Sequence, residues 1–345
     1  CYDDVAQAAA FMSQEAGRPV RVQFMRWDEH GWDNFGPAHV GEARVAADAS
    51  GTIVAYEYHG WQHGWSGTEA SAQLAGAPVG DFINAPAMGV QGVNKLTCGG
   101  QYTIPNLRLV NHKLPVTEYL KAGWLRSPLD LSFAFTSEQA IDQLARVLEL
   151  DPYEFRRRNI ADERWLGVLD AAAKAANWTP GQGGGTRTTG TVVSGRGIGL
   201  GTHLQSWGGA VADVDVHRDT GQVVIRRLFG ALDAGLVVNP AIVESQIRGQ
   251  LVQTASRMLH EEVTFDTTGV TSLDWASYSI LRFEECPEVT AVVVQRVNER
   301  SLGAGEEVMA AAAAAVANAF FDATGVRMEE FPFTRTRVLA ALRRA

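Results

Sequence analysis

Gly303-Ala304-Gly305-Glu306-Glu307, running into the alanine stretch Ala310–Ala315, is the segment on which the fold reading turns. It sets one or two carboxylates on a glycine-rich turn at the mouth of an apolar helix. Glycines let a backbone turn sharply and come close to a bound group. The helix expected over Met309–Thr324, stopped by Gly325, carries Ala, Val and Phe on most faces and is read as buried. An acid at that junction is pushed two ways. Burial raises its pKa, which suits a general base working near neutrality, and the positive helix end lowers it. A charged first turn that merely complements the helix dipole is the plainer reading of the same residues.

Working outward, Val289–Val294 reads as an apolar strand and Ala241–His260 as a helix following Asn239-Pro240. Gln246, Gln250 and Gln253 lie on that helix. A row of amides needs partners, either backbone groups or a polar ligand. Strands at Val211–Val216 and Val223–Phe229 are joined by Asp219-Thr220-Gly221, and a further hairpin turns at Thr267-Thr268-Gly269. Gly195-Arg196-Gly197-Ile198-Gly199-Leu200-Gly201 fails the dinucleotide-binding spacing and lacks the Gly-Lys-Ser/Thr of a P-loop. It is read as a strand whose glycines admit another backbone.

Thr179–Thr191, containing Gly181-Gln182-Gly183-Gly184-Gly185, reads as a linker. It divides a first lobe, 1–178, from a second, 192–345. In the first lobe a helix is expected from Asp3 or Asp4 to Glu15, closed by Gly17, then a strand over Pro19–Met25. A hairpin over Ala43–Trp61 turns at Ala49-Ser50-Gly51-Thr52, Gly64–Gly100 reads as a long irregular loop, and a strand pair is expected over Gln101–Val116. Thr136-Ser137-Glu138-Gln139 reads as a capping box ahead of a helix over Ala140–Leu150. Asp151-Pro152-Tyr153-Glu154 opens a second helix, and a third lies near Leu169–Trp178. The fold class is therefore α+β, mixed sheets and helices in two lobes. Leu125-Arg126-Ser127-Pro128 could hold an anion or carbonyl through its guanidinium, or form a structural salt bridge.

The chain has 345 residues, 46% of them hydrophobic and 20% charged, as in ordinary globular proteins. A formal charge of -9 argues against a nucleic-acid partner. Arg156-Arg157-Arg158 is the obvious basic cluster and is read as the solvated face of a short helix. No apolar run approaches the ~20 residues that span a bilayer. Cys1, Cys98 and Cys286 are too few and scattered for a disulfide framework or zinc ribbon. His59 and His63 are separated by Gly60 and Trp61, which argues against one metal held from one helix. There is no His-Glu-x-x-His, Cys-x-x-Cys or Gly-x-Ser-x-Gly. The chain opens on Cys1-Tyr2-Asp3-Asp4 and runs straight into a helical pattern, as if cut from something longer.

Four blocks together resemble the molybdopterin-binding large subunit of the xanthine oxidase/aldehyde oxidase family, with closer likeness to its isoquinoline 1-oxidoreductase and nicotinate dehydrogenase branch. They are Gly17-Arg18-Pro19-Val20-Arg21-Val22-Gln23 with Arg26-x-Asp28-Glu29, and Tyr102-x-Ile104-Pro105-Asn106 through Leu125-Arg126-Ser127-Pro128 to Asp151–Asn159. The others are Asp233-Ala234-Gly235-x-x-Val238-Asn239-Pro240 with Gln246-Ile247-x-Gly249, and Gly303-x-Gly305-Glu306 with Val316–Gly325. They occur in order over nearly the whole chain.

The resemblance implies a molybdenum-cofactor-binding domain of the aldehyde oxidase/xanthine dehydrogenase type, incomplete without a partner chain. It implies a hydroxylase acting on an aldehyde or an N-heteroaromatic carbon, with water as the oxygen source. Glu306 would be the general base taking a proton from a molybdenum-bound hydroxide. Gln246 would contact the cofactor, Gly303 and Gly305 would allow its close approach, and Arg126 would line the site; no side chain is expected to ligate the metal. The cofactor would be molybdenum-molybdopterin, in its cytosine dinucleotide form and largely bound by the partner. Electrons would leave through [2Fe-2S] clusters on a small partner subunit, with a flavin or cytochrome subunit as a further candidate. The alternative is a non-catalytic assembly subunit of such a complex. Glu307 stands where the family commonly has proline, and Leu131-Ser132-Phe133 departs from the xanthine-type pattern. The Gly-Gly-x-Phe-Gly loop is absent, so the missing part of the cradle is expected on another chain. Cytoplasm is the expected compartment, with periplasm as the alternative.

Overall fold

The computed structural model describes residues 4–63, 99–114, 123, 125–180 and 190–344. Helix α1 (Asp4–Ala16) ends at Gly17, whose φ of 61° supplies the left-handed stop. The segment Pro19–Met25, expected as a strand, joins no ladder among the described residues. Val20, Val22 and Phe24 alternate half-buried with exposed neighbours, so the period of two is real and the pairing is missing. Helix α2 (Arg26–Trp32) follows.

The first sheet has the order β1-β2-β3. Strands β1 (His39–Ala47) and β2 (Ile53–His63) form the expected hairpin. Its turn is held by Asp48 Oδ1, which accepts from the Ser50 and Thr52 N–H groups. Of the pair expected over Gln101–Val116, the described residues hold one strand, β3 (Asn106–Leu114), parallel to β2, and positions 115–116 lie outside them. Most of the loop read over Gly64–Gly100 lies outside the described residues, as do positions 181–189 of the linker read over Thr179–Thr191.

Helix α3 (Asp130–Val147) starts six residues before the capping box read at Thr136, which lies inside it. The reason is Glu138, which is fully buried and serves as an acceptor rather than a cap. It takes the Arg156 Nε–H at 2.9 Å, the Gln101 amide at 3.0 Å, the Tyr102 hydroxyl at 2.7 Å and the Leu200 N–H at 3.2 Å. Helix α4 (Pro152–Arg158) is capped by Asp151, as its sequence predicts. Its basic triplet is not one solvated face: Arg156 is fully buried against Glu138, and Arg157 pairs with Asp170 at the surface. Helix α5 (Glu163–Ala175) begins at Asp162, upstream of the Leu169 start expected for it.

The second sheet runs β4-β5-β6-β9. Strands β4 (Val192–His203), β5 (Ser206–His217) and β6 (Val223–Asp233) form an antiparallel meander. Helix α6 (Pro240–Leu259) and the two-residue strands β7 (Phe265–Asp266) and β8 (Gly269–Val270) follow, and β9 (Glu288–Val293) returns parallel to β6. Helix α7 (Glu307–Thr324) is buried at every position except Phe321, and α8 (Arg335–Arg344) closes the described chain. None of the described helices is long and apolar enough to cross a membrane.

α7 lies directly on β4. Gly195, Gly197, Gly199 and Gly201 share one face of the strand, and a Cβ on any of them would come within 2.2–2.7 Å of α7, mostly its main chain. Small residues on both sides thus bring helix and strand backbones into contact. Arg196 N–H donates to Asp322 at 2.9 Å and Asn318 to Ile198 O at 3.0 Å, which pins the helix along the strand. On another side Ala134 of α3 packs on Ala310 and Ala314. The Gly303–Glu307 turn is therefore presented by a rigid base.

Candidate active site

Four groups hold the turn. Gln250 of α6, fully buried, donates to Ala304 O at 3.0 Å and accepts the Val308 N–H at 2.7 Å, so one amide clamps both ends. Ser206 Oγ donates to Gly303 O at 2.6 Å. Arg126 donates from Nε to Gly305 O at 2.5 Å and from Nη2 to Gln246 Oε1 at 2.7 Å, with Gln253 Oε1 at 3.3 Å from Nη1. Among the described residues Arg126 is thus a tie between α6 and the turn, with carbonyl and amide partners and no salt bridge. Glu307 folds inward, is buried, and accepts the Glu306 N–H at 2.9 Å.

Glu306 points the other way. Its Oε2 lies 2.8 Å from His203 Nε2, and His203 Nδ1 lies 2.7 Å from Asp130 Oδ2. Partial burial pushes the Glu306 carboxyl up. The His203 hydrogen bond and charge, the Ser127 N–H and the Arg126 guanidinium outweigh that, and the carboxyl sits below its usual range. His203 also loses solvation, which alone would lower it, but Asp130 and Glu306 carry it up to about 10. Burial pushes the Glu307 carboxyl up. Adjacent acids are thereby driven apart, Glu306 toward the ionised form and Glu307 toward the neutral one. The contest expected between burial and helix end is decided by a third party, His203.

Neither Gly303 nor Gly305 takes a left-handed φ. A Cβ at Gly303 would meet Glu307 Oε1 at 3.1 Å, and one at Gly305 would meet none of the described residues within 4 Å. The backbone conformation does not require glycine at 305, and among the described residues nothing packs on it.

The structure thus brings Arg126 and Gln246, distant in sequence, to the turn that carries Gly303, Gly305 and Glu306. Gln246 is exposed, on the same helix whose Gln250 is sealed inside. Asp233, from the block read beside the cofactor-contacting helix, is fully buried between Arg164 and Arg296 and has a structural role. His59 stacks with Trp61 and His112 and hydrogen-bonds His112 at 3.0 Å. Among the described residues no group of three or more His, Cys, Asp or Glu side chains could hold a metal ion. Cys286 is free, and the other two cysteines lie outside the described residues.

His203, Asp130 and the clamp made by Gln250 are not legible in the sequence alone. One signal points to His203: it continues the alternation Gly195, Gly197, Gly199, Gly201 and so falls on the β4 face that meets α7.

Two family models, both described as molybdopterin cofactor-binding domain, match residues 4–160 and 136–287. This chain belongs to the molybdopterin cofactor-binding subunits of the xanthine oxidase family. A nicotinate dehydrogenase subunit of Pseudomonas putida is 35% identical over 99% of this chain, which spans 29% of that protein. A membrane-bound aldehyde dehydrogenase (pyrroloquinoline-quinone) of Gluconacetobacter polyoxogenes is 27% identical over 99% of this chain, which spans 45% of its length. Quinoline 2-oxidoreductase from Pseudomonas putida 86 has the same fold, with a TM-score of 0.82 at 16% identity over 97% of this chain and 66% of that one.

Proposed function

We propose that this chain contributes the general base and one wall of the cofactor site of a molybdenum hydroxylase. The substrate class is an aldehyde or an N-heteroaromatic compound oxidised at carbon, with water as the oxygen source. The observation that carries this is Glu306: an ionised carboxylate, its side chain 32% exposed, on a turn locked by Gln250, Ser206 and Arg126, beside a Gly305 that no described residue covers.

The residues present fit a bulky polar cofactor. Arg126 and Gln246 offer guanidinium and amide groups, and the bare backbone at Gly305 leaves room for close approach. With no described side-chain cluster to ligate a metal, the metal would arrive held by its own organic cofactor. When bound, a molybdenum cofactor supplies the two-electron redox chemistry. Glu306 accepts the proton released as the oxygen nucleophile forms, and its ionised state at neutral pH keeps it ready to do so. Arg126 holds the turn in place, and Glu307 stays out of the reaction, folded against the Glu306 N–H. The rest of the cradle comes from segments beyond these residues. In this reading the cofactor takes the cytosine dinucleotide form and electrons pass to [2Fe-2S] clusters on a partner subunit.

The test is Glu306→Gln in the assembled complex. Turnover is expected to vanish while molybdenum content stays near that of the wild type. Undiminished turnover would remove the base assignment and leave an assembly role for the chain. A native complex with a quinone and no molybdenum would place it with the chemistry named for the Gluconacetobacter relative instead.

A further inference from the structure

His203 closes a chain of three side chains from three elements: Asp130 in the first turn of α3, His203 at the end of β4, and Glu306 at the mouth of α7. Side-chain exposure rises along it, from 8% at Asp130 through 21% at His203 to 32% at Glu306. Asp130 is thus the buried anchor and Glu306 the accessible end. Among the described residues the other charged groups facing this chain are Glu307 from α7 and Arg126 from the segment before α3.

Both ring nitrogens face carboxylate oxygens, at 2.7 and 2.8 Å. A neutral imidazole has one N–H and one lone pair, so one of these contacts would set a lone pair against an anion. The doubly protonated ring satisfies both. Geometry therefore specifies an imidazolium between two carboxylates, and that pairing, working against burial, carries the ring up to about 10.

We propose that His203, anchored by Asp130, is a positioning residue for Glu306: it fixes the carboxylate beside the Gly305 opening and holds it in the ionised form. This rests on the reading of Glu306 as the base and adds a residue to it. After Glu306 has taken a proton, the imidazolium faces a neutral acid and loses its ion pair. Release of that proton to water restores the pair, so His203 also favours the reset.

The experiment uses the assembled complex. His203→Ala is expected to lower kcat by about 10- to 100-fold, the cost of a displaced catalytic group, with KM within about twofold because substrate binding is untouched. The acid limb of its pH profile should move upward. His203→Gln, which offers an N–H but no charge, should recover part of kcat and leave the limb displaced. A second measurement needs no turnover: exchange of the His203 C2–H, followed by mass spectrometry across pH. Its midpoint is expected near 10 in the wild type and at least about one unit lower in Asp130→Asn. An unmoved acid limb and full kcat in His203→Ala, beside an inactive Glu306→Gln, would overturn the positioning role and leave the base assignment standing. Activity in Glu306→Gln would instead remove the underlying reading. Should His203→Ala fail to assemble, the exchange decides: an unchanged midpoint in Asp130→Asn overturns the proposal.

Discussion

Gly197→Ala puts one methyl group between β4 and α7. The added Cβ would stand 2.2 Å from Ala319 N and 2.3 Å from Ala315 O, both backbone atoms that cannot swing aside. Restoring an ordinary contact of 3.4 Å requires helix and strand to part by about 1.2 Å. Overpacking a tight core costs ~1–3 kcal/mol, and a clash with main chain belongs at the upper end of that range. At roughly 2 °C per kcal/mol for a chain of this size, the melting transition should fall by about 5 °C. The same displacement acts on Glu306, the proposed base, because it sits at the mouth of α7, and a shift of about 1 Å in such a group is worth on the order of 100-fold in rate. The assay is differential scanning fluorimetry and steady-state turnover of the assembled complex. The control is Gly190→Ala, whose Cβ would meet its nearest described atom at an ordinary 3.6 Å. A Gly197→Ala complex that melts with the wild type and turns over normally would show that α7 does not rest on this strand.

Gln250→Met keeps the bulk of the clamp but strands the Ala304 carbonyl and the Val308 N–H, so it should cost about 2 kcal/mol or more and lower kcat with molybdenum retained, as metal analysis and kinetics will read. Arg156→Met leaves Glu138 charged and buried, a loss of ~3–5 kcal/mol. It should appear as a lower melting point that Glu138→Gln in the same chain partly restores. The pH dependence of stability follows from opposite shifts. His203 is raised, so its contribution is complete below its ordinary value of 6.5 and fades as pH climbs through about 10. Glu306 is lowered from 4.5, so its contribution is complete above that value and fades as pH falls past it. The wild-type advantage over His203→Ala should therefore be greatest at weakly acid pH and shrink toward either extreme in melting curves taken across pH.

Much of the second half of the chain was legible, because its signals are local and strong. The alanine run and its glycine stop specify a buried helix, the Asn239-Pro240 start specifies α6, and the Asp219-Thr220-Gly221 turn joins β5 to β6. The glycines at every second position of β4 also announced a close backbone, although not that α7 would be the one to use it. What failed depends on partners distant in sequence. Pro19–Met25 has the alternation of a strand but no pairing neighbour among the described residues, and β3 pairs in parallel, a direction no local pattern encodes. Thr136–Gln139 matches a capping box, yet Glu138 is claimed by Arg156, Gln101, Tyr102 and Leu200 from elsewhere. In the site, Glu306, Arg126 and Gln246 were visible as residues. The division of labour among the three glutamines was not, because burial separates Gln250 from Gln246 only once α6 is docked.

The bare contact between β4 and α7 constrains how such an enzyme could diversify. No adjustable side chain lies between the two main chains at the four glycines, so the tilt of the helix cannot be tuned by trading one residue for another. The Glu306 carboxylate is carried like a tooth cut into a fixed rack. New substrate preferences would have to be reached by remodelling whatever approaches that tooth from outside, while the rack itself stays as it is.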